Sequence, residues 1–202
     1  TAVGADAGTA VTTGDDNVFV GYQAGDAITT TVGITAVGSG ALSAASGSYS
    51  TAVGLNALIL NTAGSNTAVG ALSANSITSG SGNTALGASA LSSVVTTDYS
   101  TAIGTSALAS NTGAANTAVG ALSLDANTSG VRNTALGYQS LSAIVTANDS
   151  TAVGYNALAL DTGGSNTAVG SGAGDGITSG VRNVAIGQGA LTGATITGAA
   201  NV

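Results

Sequence analysis

The sequence predicts an all-β fold, a parallel β-solenoid (β-roll) of about twelve coils, each sixteen or seventeen residues long. Three observations carry that prediction. The first is a tetrapeptide of the form Thr-Ala-(Val/Leu/Ile)-Gly that recurs along the whole chain. Its glycines are Gly4, Gly21, Gly38, Gly54, Gly70, Gly87, Gly104, Gly120, Gly137, Gly154, Gly170 and Gly187, a nearly constant interval throughout. The second is the length of that interval, which is too short for two packed helices and their turns but suits one coil of short strands. The third is composition: 32 of 202 residues are Gly, none is Pro, and the 44% hydrophobic content contains one Phe, five Tyr and no Trp. A flattened coil this short encloses little volume, so it needs small side chains.

Each element follows from the motif. A branched aliphatic residue stands directly before every glycine: Val3, Val20, Val37, Val53, Val69, Leu86, Ile103, Val119, Leu136, Val153, Val169 and Ile186. Ala precedes it in eleven coils, with Phe19 the exception, and Thr precedes that in ten, with Val18 and Val184 the exceptions. Ahead of the Thr position comes Asn in seven coils (Asn17, Asn66, Asn83, Asn116, Asn133, Asn166, Asn183) or Ser in three (Ser50, Ser100, Ser150). Asn-Thr-Ala-Val therefore reads as a strand, ended by a glycine where the turn needs positive φ or a close backbone approach. A second strand is expected over Ala-Leu-x-Leu, as in 57–60 and 157–160. The outer turn is expected in the Gly/Ser/Thr/Asn-rich remainder, such as 61–65 or 128–130.

Coils stacked ~4.8 Å apart would make twelve of them a rod roughly 55 Å long. Stacking places each residue over its equivalent, so Asn side chains are expected to hydrogen-bond up the ladder. A slower beat relates Gly4, Gly54, Gly104 and Gly154, which marks a repeating unit of three coils. No composition shift or linker interrupts the array, so 1–202 reads as one repeat array. It begins on a motif and stops inside the next, which suggests a segment of a longer fibre protein.

Alternation sends Ala to one side of the first strand and Thr plus the aliphatic residue to the other. Both sides are uncharged, so both are expected to be covered. Exposing the aliphatic rank would forgo ~1.5 kcal/mol of burial per side chain, and an apolar stripe of that length marks an interface. Self-association about an axis along the rod, most simply threefold, would cover it. A phenyl ring does not fit a roll lined with Ala. Phe19 therefore suggests that the Ala rank faces an interface, or that the second coil adjoins a wider junction.

Composition excludes much chemistry. Without His, Cys or Lys there is no imidazole base, thiolate, Schiff base or soft metal site, and no disulfide. The only charges are two Arg and nine Asp, net −7, too few cations for a nucleic-acid surface. No stretch is long and apolar enough to insert in a membrane, and no secretory signal is visible. The reading is non-enzymatic, with no cofactor and no metal.

Asn166-Thr167-Ala168-Val169-Gly170 and Gly137-Tyr138-Gln139-Ser140-Leu141 resemble the repeat arrays of bacteriophage tail fibres and related bacterial surface proteins. They are also similar to the head repeats of trimeric autotransporter adhesins, although the coils here are longer. The resemblance covers essentially the whole chain. It implies a homotrimer of left-handed parallel β-rolls, located extracellularly, on a cell surface or on a virion, with a cell-surface glycan or protein as receptor.

Each candidate surface contact has a plainer reading beside it. Arg132 and Arg182 occupy equal places in successive three-coil units, as do Asp125 and Asp175. These pairs read as outer-turn salt bridges more readily than as a polar ligand site. Asp15 and Asp16, with Asp6 and Asp26 nearby, lack the periodicity of calcium-binding rolls and read as solvated loops. Tyr22, Tyr138 and Tyr155 each follow a motif glycine; packing over that glycine is favoured over stacking on sugars. The functional expectation is a rigid structural fibre or adhesin segment for surface attachment. The alternative is an ice-binding solenoid that uses the Thr ladder; a glycan depolymerase is disfavoured because no acid–base pair stands out.

Overall fold

The computed structural model describes residues 1–44, 46–93, 95–193 and 195–201. The chain divides into two compact units, Thr1–Ser100 and Thr101–Val202. Each is a parallel β-solenoid of six coils, and no described residue is helical. The first unit carries β1 (Ala2–Val3), β2 (Val18–Val20), β3 (Thr35–Val37), β4 (Thr51–Val53), β5 (Thr67–Val69) and β6 (Thr84–Leu86). The second carries β7 (Thr101–Ile103), β8 (Thr117–Val119), β9 (Thr134–Leu136), β10 (Thr151–Val153), β11 (Thr167–Val169) and β12 (Val184–Ile186). Within each unit consecutive strands pair in parallel with equivalent residues in register. Thr35, Thr51, Thr67 and Thr84 lie one over the next in the first unit. Thr101, Thr117, Thr134, Thr151 and Thr167 do so in the second.

The motif glycine ends each strand for a reason visible at Gly54. Its φ is +139°, and a Cβ there would lie 2.5 Å from the carbonyl oxygen of Gly70 in the next coil. Both the backbone conformation and the close approach demand glycine.

In β3 to β12 the Ala at the centre of the strand points inward. Ala36, Ala52, Ala68, Ala102, Ala118 and Ala152 are fully buried. They meet a rank of fully buried leucines across the coil, including Leu42, Leu58, Leu91, Leu108, Leu124, Leu141 and Leu158, with Ile28, Ile77, Ile144 and Ile177 beside them. Burying one Leu or Ile contributes about 1.5–3 kcal/mol. Small Ala against large Leu fills a narrow core.

The expected second strand does not form. Residues 57–60 and 157–160 are turns, with positive φ at Asn56 (53°), Leu58 (51°), Asn156 (52°) and Leu158 (51°). A strand alternates its faces, but Ala57 and Leu58 are adjacent and both fully buried, as are Ala157 and Leu158. Alternating backbone handedness turns both inward. The coil-to-coil hydrogen bonds survive: Leu42 N–H donates to the Ala57 carbonyl (3.1 Å) and Leu158 N–H to the Ala173 carbonyl (2.9 Å).

Phe19 also departs from expectation, because its ring is inside the roll with 3% exposure. The Leu rank makes room for it. At the leucine position, coil one has Gly8 and coil two has Gly25. A Cβ on Gly8 would lie 2.6 Å from the ring, and one on Gly25 would lie 2.3 Å from it. The large residue has moved from one side of the core to the other.

The asparagine ladder forms as the sequence predicts. Asn83 N–H donates to Asn66 Oδ1 (2.9 Å), while Asn66 Nδ2 donates to the Gly80 carbonyl (2.7 Å). In the second unit Asn133 N–H donates to Asn116 Oδ1 (2.9 Å), and Asn183 N–H to Asn166 Oδ1 (2.8 Å). Each buried amide thus satisfies backbone groups that the turns leave without partners. The outer turns fall where expected and are pinned by a second inward rank, Asn61, Asn111, Asn127 and Asp161, all fully buried.

Candidate functional site

The strand face opposite the core is the most regular surface of the molecule. In both units it presents two parallel columns, one of Thr and one of Val, Leu or Ile, about 4.8 Å apart from coil to coil. The sequence-predicted ladder residues all lie in the second column, outside the roll. Val20 is 36% exposed, Leu86 45% and Leu136 47%. Val37, Val53, Val69, Ile103, Val119 and Val153 are half-buried among their neighbours. Val3, Val169 and Ile186 are more open than these. The expectation that the Ala rank faces an interface is corrected by its burial in the core, and the aliphatic rank is left facing outward.

Two kinds of Thr column coexist. In the outer turns the hydroxyl is spent on the next coil: Thr62 Oγ1 donates to the Thr78 carbonyl (2.8 Å), and Thr162 Oγ1 to the Thr178 carbonyl (3.0 Å). Among the described residues, the strand threonines Thr51, Thr67, Thr117, Thr134 and Thr151 make no side-chain hydrogen bond. Their hydroxyls are available beside an aliphatic column.

The charged groups are arranged differently from the sequence reading. Arg132 pairs with Asp149 rather than with Asp125, through Nε–Oδ1 at 2.7 Å and Nη2–Oδ2 at 3.0 Å. The pair is exposed, at 60% and 49%. The Arg132 hydrogen bond holds the Asp149 carboxyl below its ordinary pKa, and the same bond raises that of the guanidinium. Their separation along the chain is one coil, which places Asp149 directly beside Arg132. At the corresponding place Arg182 has Ala199 and Ala200 alongside its coil, and it forms no ion pair among the described residues. Asp125 is partly buried, which raises its pKa, and its own N–H and that of Ala126 oppose the shift. Asp6, Asp15 and Asp16 are exposed. No three acidic side chains converge among the described residues.

Tyr22, Tyr138 and Tyr155 are all exposed, at 53%, 43% and 57%. Tyr138 and Tyr155 stack on each other with ring centroids 5.7 Å apart and an interplanar angle of 12°. Tyr49 and Tyr99 pack over glycines of the preceding coil. A Cβ on Gly33 or Gly82 would lie 2.8 Å from their rings.

Asp161 is a buried polar residue that the sequence reading does not single out. It occupies the place that Asn61 and Asn111 hold in the two preceding three-coil units, and that correspondence is its available signal. Its Oδ1 accepts from Gly163 N–H (2.9 Å) and Asn166 Nδ2 (2.9 Å), and its Oδ2 lies 3.3 Å from Ser150 Oγ. Burial raises its pKa; the hydrogen bonds from Gly163, Asn166, Gly164 and Ser150 offset part of that rise.

No family model matches the chain, and neither the curated proteins nor the solved structures contain a significant match.

Proposed function

We propose that the chain is a non-catalytic structural segment of a fibre. It associates with two further copies of itself through the outward strand face and serves as a rigid element for surface attachment. The observation that carries this reading is the uncharged, outward column of Val, Leu and Ile in each unit. In a monomer this column stays partly in water coil after coil, whereas a sister chain would bury it. The threefold count and the extracellular, cell-surface or virion setting rest on the resemblance of the repeats to those of tail fibres and trimeric adhesins. A surface glycan or protein would be the receptor. Light scattering tests the association. A molar mass of three times 18.6 kDa supports the reading, and a clean monomer across the accessible concentration range contradicts it.

A second reading is favoured by one specific observation, the unspent hydroxyls of the strand threonines. A regular lattice of hydroxyls and methyl groups on a parallel sheet can order water as ice does, so the same face would bind ice if it stays uncovered. Thermal hysteresis separates the two. A gap between melting and freezing points from a monomeric chain supports ice binding, and no gap from a trimer supports the fibre.

A further inference from the structure

The geometry points to a carbohydrate-binding shelf on the second unit, beside Tyr155, that takes one pyranose ring of a glycan. It deepens the attachment reading by naming the chemistry of a ligand, and its test does not depend on how many copies assemble.

The residues that follow the motif glycine differ between the three-coil units. In the two preceding three-coil units, the coil following Leu55 carries Ala71-Leu72, and the coil following Thr105 carries Ala121-Leu122. In the last unit two things change together. The first residue becomes Tyr155, and the neighbour becomes Ser171-Gly172. The leucine is lost where the aromatic ring is gained.

The structure shows what that exchange does. One face of Tyr155 is occupied by Tyr138. Its backbone is hydrogen-bonded to the next coil, where Gly172 N–H donates to the Tyr155 carbonyl (2.8 Å). A Cβ built on Gly172 meets nothing within 4 Å, so the space that Leu72 and Leu122 fill in the earlier units is open. One coil further on, Gln188 and Gly189 are exposed, and Gly189 is nearly as bare. The result is a step two coils wide, about 9–10 Å along the ladder at ~4.8 Å per coil. An aromatic wall stands at one side over a glycine floor. The Ser171 hydroxyl and the Gln188 side-chain amide are both without a side-chain hydrogen bond among the described residues.

That combination suits a pyranose. The ring presents a face of C–H groups, which lies against an aromatic face, and a rim of hydroxyls, which needs donors and acceptors. The amide offers both functions and the hydroxyl can turn to either. No charge stands on the shelf, so a neutral hexose or N-acetylhexosamine unit is the class indicated. The wall is stiffened by the stack with Tyr138, so little side-chain entropy is lost on binding.

Saturation-transfer NMR on the full chain tests this, with the methyl glycosides of glucose, galactose, mannose and N-acetylglucosamine as probes. At least one is expected to receive saturation on one ring face, with an affinity in the millimolar range. Tyr155→Ala should weaken it about tenfold or more, consistent with loss of a stacked aromatic wall. Gly172→Leu should do the same without touching the tyrosine. It folds, because Leu72 and Leu122 hold the same backbone conformation at φ 58° and 57°. Tyr49→Ala, on the other unit, should leave binding unchanged. The proposal is overturned if none of the four probes binds, or if binding survives both Tyr155→Ala and Gly172→Leu.

Discussion

Exchanging the large residue back across the core of the second coil tests the packing logic at a single place. Phe19 holds the strand position where Ala stands in every other coil, and Gly25 holds the position of Leu42 and Leu58. Phe19→Ala alone removes a ring that is 3% exposed and faces glycines that cannot fill the gap. A buried Phe→Ala change of this kind costs about 3 kcal/mol or more. Gly25→Leu alone drives a Cβ to 2.3 Å from the ring, an overpacking that costs about 1–3 kcal/mol. The backbone adds nothing to that cost, since Gly25 has φ +60° and Leu58 adopts +51° at the same place. The double variant recreates the Ala–Leu pairing of the third coil, Ala36 with Leu42, both fully buried. It should therefore lose less than the sum of the singles by about 2 kcal/mol. Solenoid coils open locally, so amide exchange is the appropriate assay. The reporters are Val18 N–H, bonded to the Ile34 carbonyl, and Thr35 N–H, bonded to the Ser50 carbonyl. Phe19→Ala should reduce their protection about a hundredfold, and adding Gly25→Leu should restore much of it. Strictly additive losses would refute the reasoning, because they would mean that ring and glycine do not share one space.

Three other predictions concern the coils themselves. Asp161→Asn should stabilise the second unit by about 1 kcal/mol at neutral pH, about 2–4 °C in a thermal melt, because an amide can donate to the Gly163 carbonyl as Asn111 does to Gly113 (2.7 Å). The same variant should flatten the pH dependence. A carboxyl whose pKa is raised in the folded chain favours folding fully below the ordinary carboxylate range, and that contribution is lost as pH rises through the raised value. Melting curves at several pH values above 3.8, the ordinary Asp value, check the sign. Gly54→Ala should destabilise the first unit by about 3 kcal/mol, since both φ and the Gly70 carbonyl reject a side chain. Arg132→Ala should leave the melting temperature unchanged within error at physiological salt, because the pair with Asp149 is exposed.

Much of the fold is legible in the sequence because repetition averages away local ambiguity. The strand Thr-Ala-Val, the turn glycine and the asparagine ladder each recur at a fixed place, and each has a single physical explanation. Ala57-Leu58 escapes a sequence reading because side-chain alternation fails where the backbone changes handedness, at Asn56 and again at Leu58. Phe19 looks misplaced when one wall of the core is read alone; the compensating Gly8 and Gly25 stand on the other wall, at the leucine position of adjacent coils. The Arg132–Asp149 pair is invisible to a comparison of three-coil units and plain in a comparison of successive coils. Coil neighbours touch, whereas three-coil equivalents do not.

Because the chain contains no cysteine, single introduced thiols can report directly on whether sister chains cover the strand face. Val119→Cys sits in the aliphatic column, Thr117→Cys in the Thr column and Ser129→Cys in an exposed outer turn. A thiol reagent should modify Ser129→Cys rapidly and the two strand variants slowly, with the difference narrowing when the protein is diluted until it dissociates, because Thr117 and Val119 are half-buried within their own chain. A ratio of labelling rates that stays the same at every concentration would contradict coverage by sister chains.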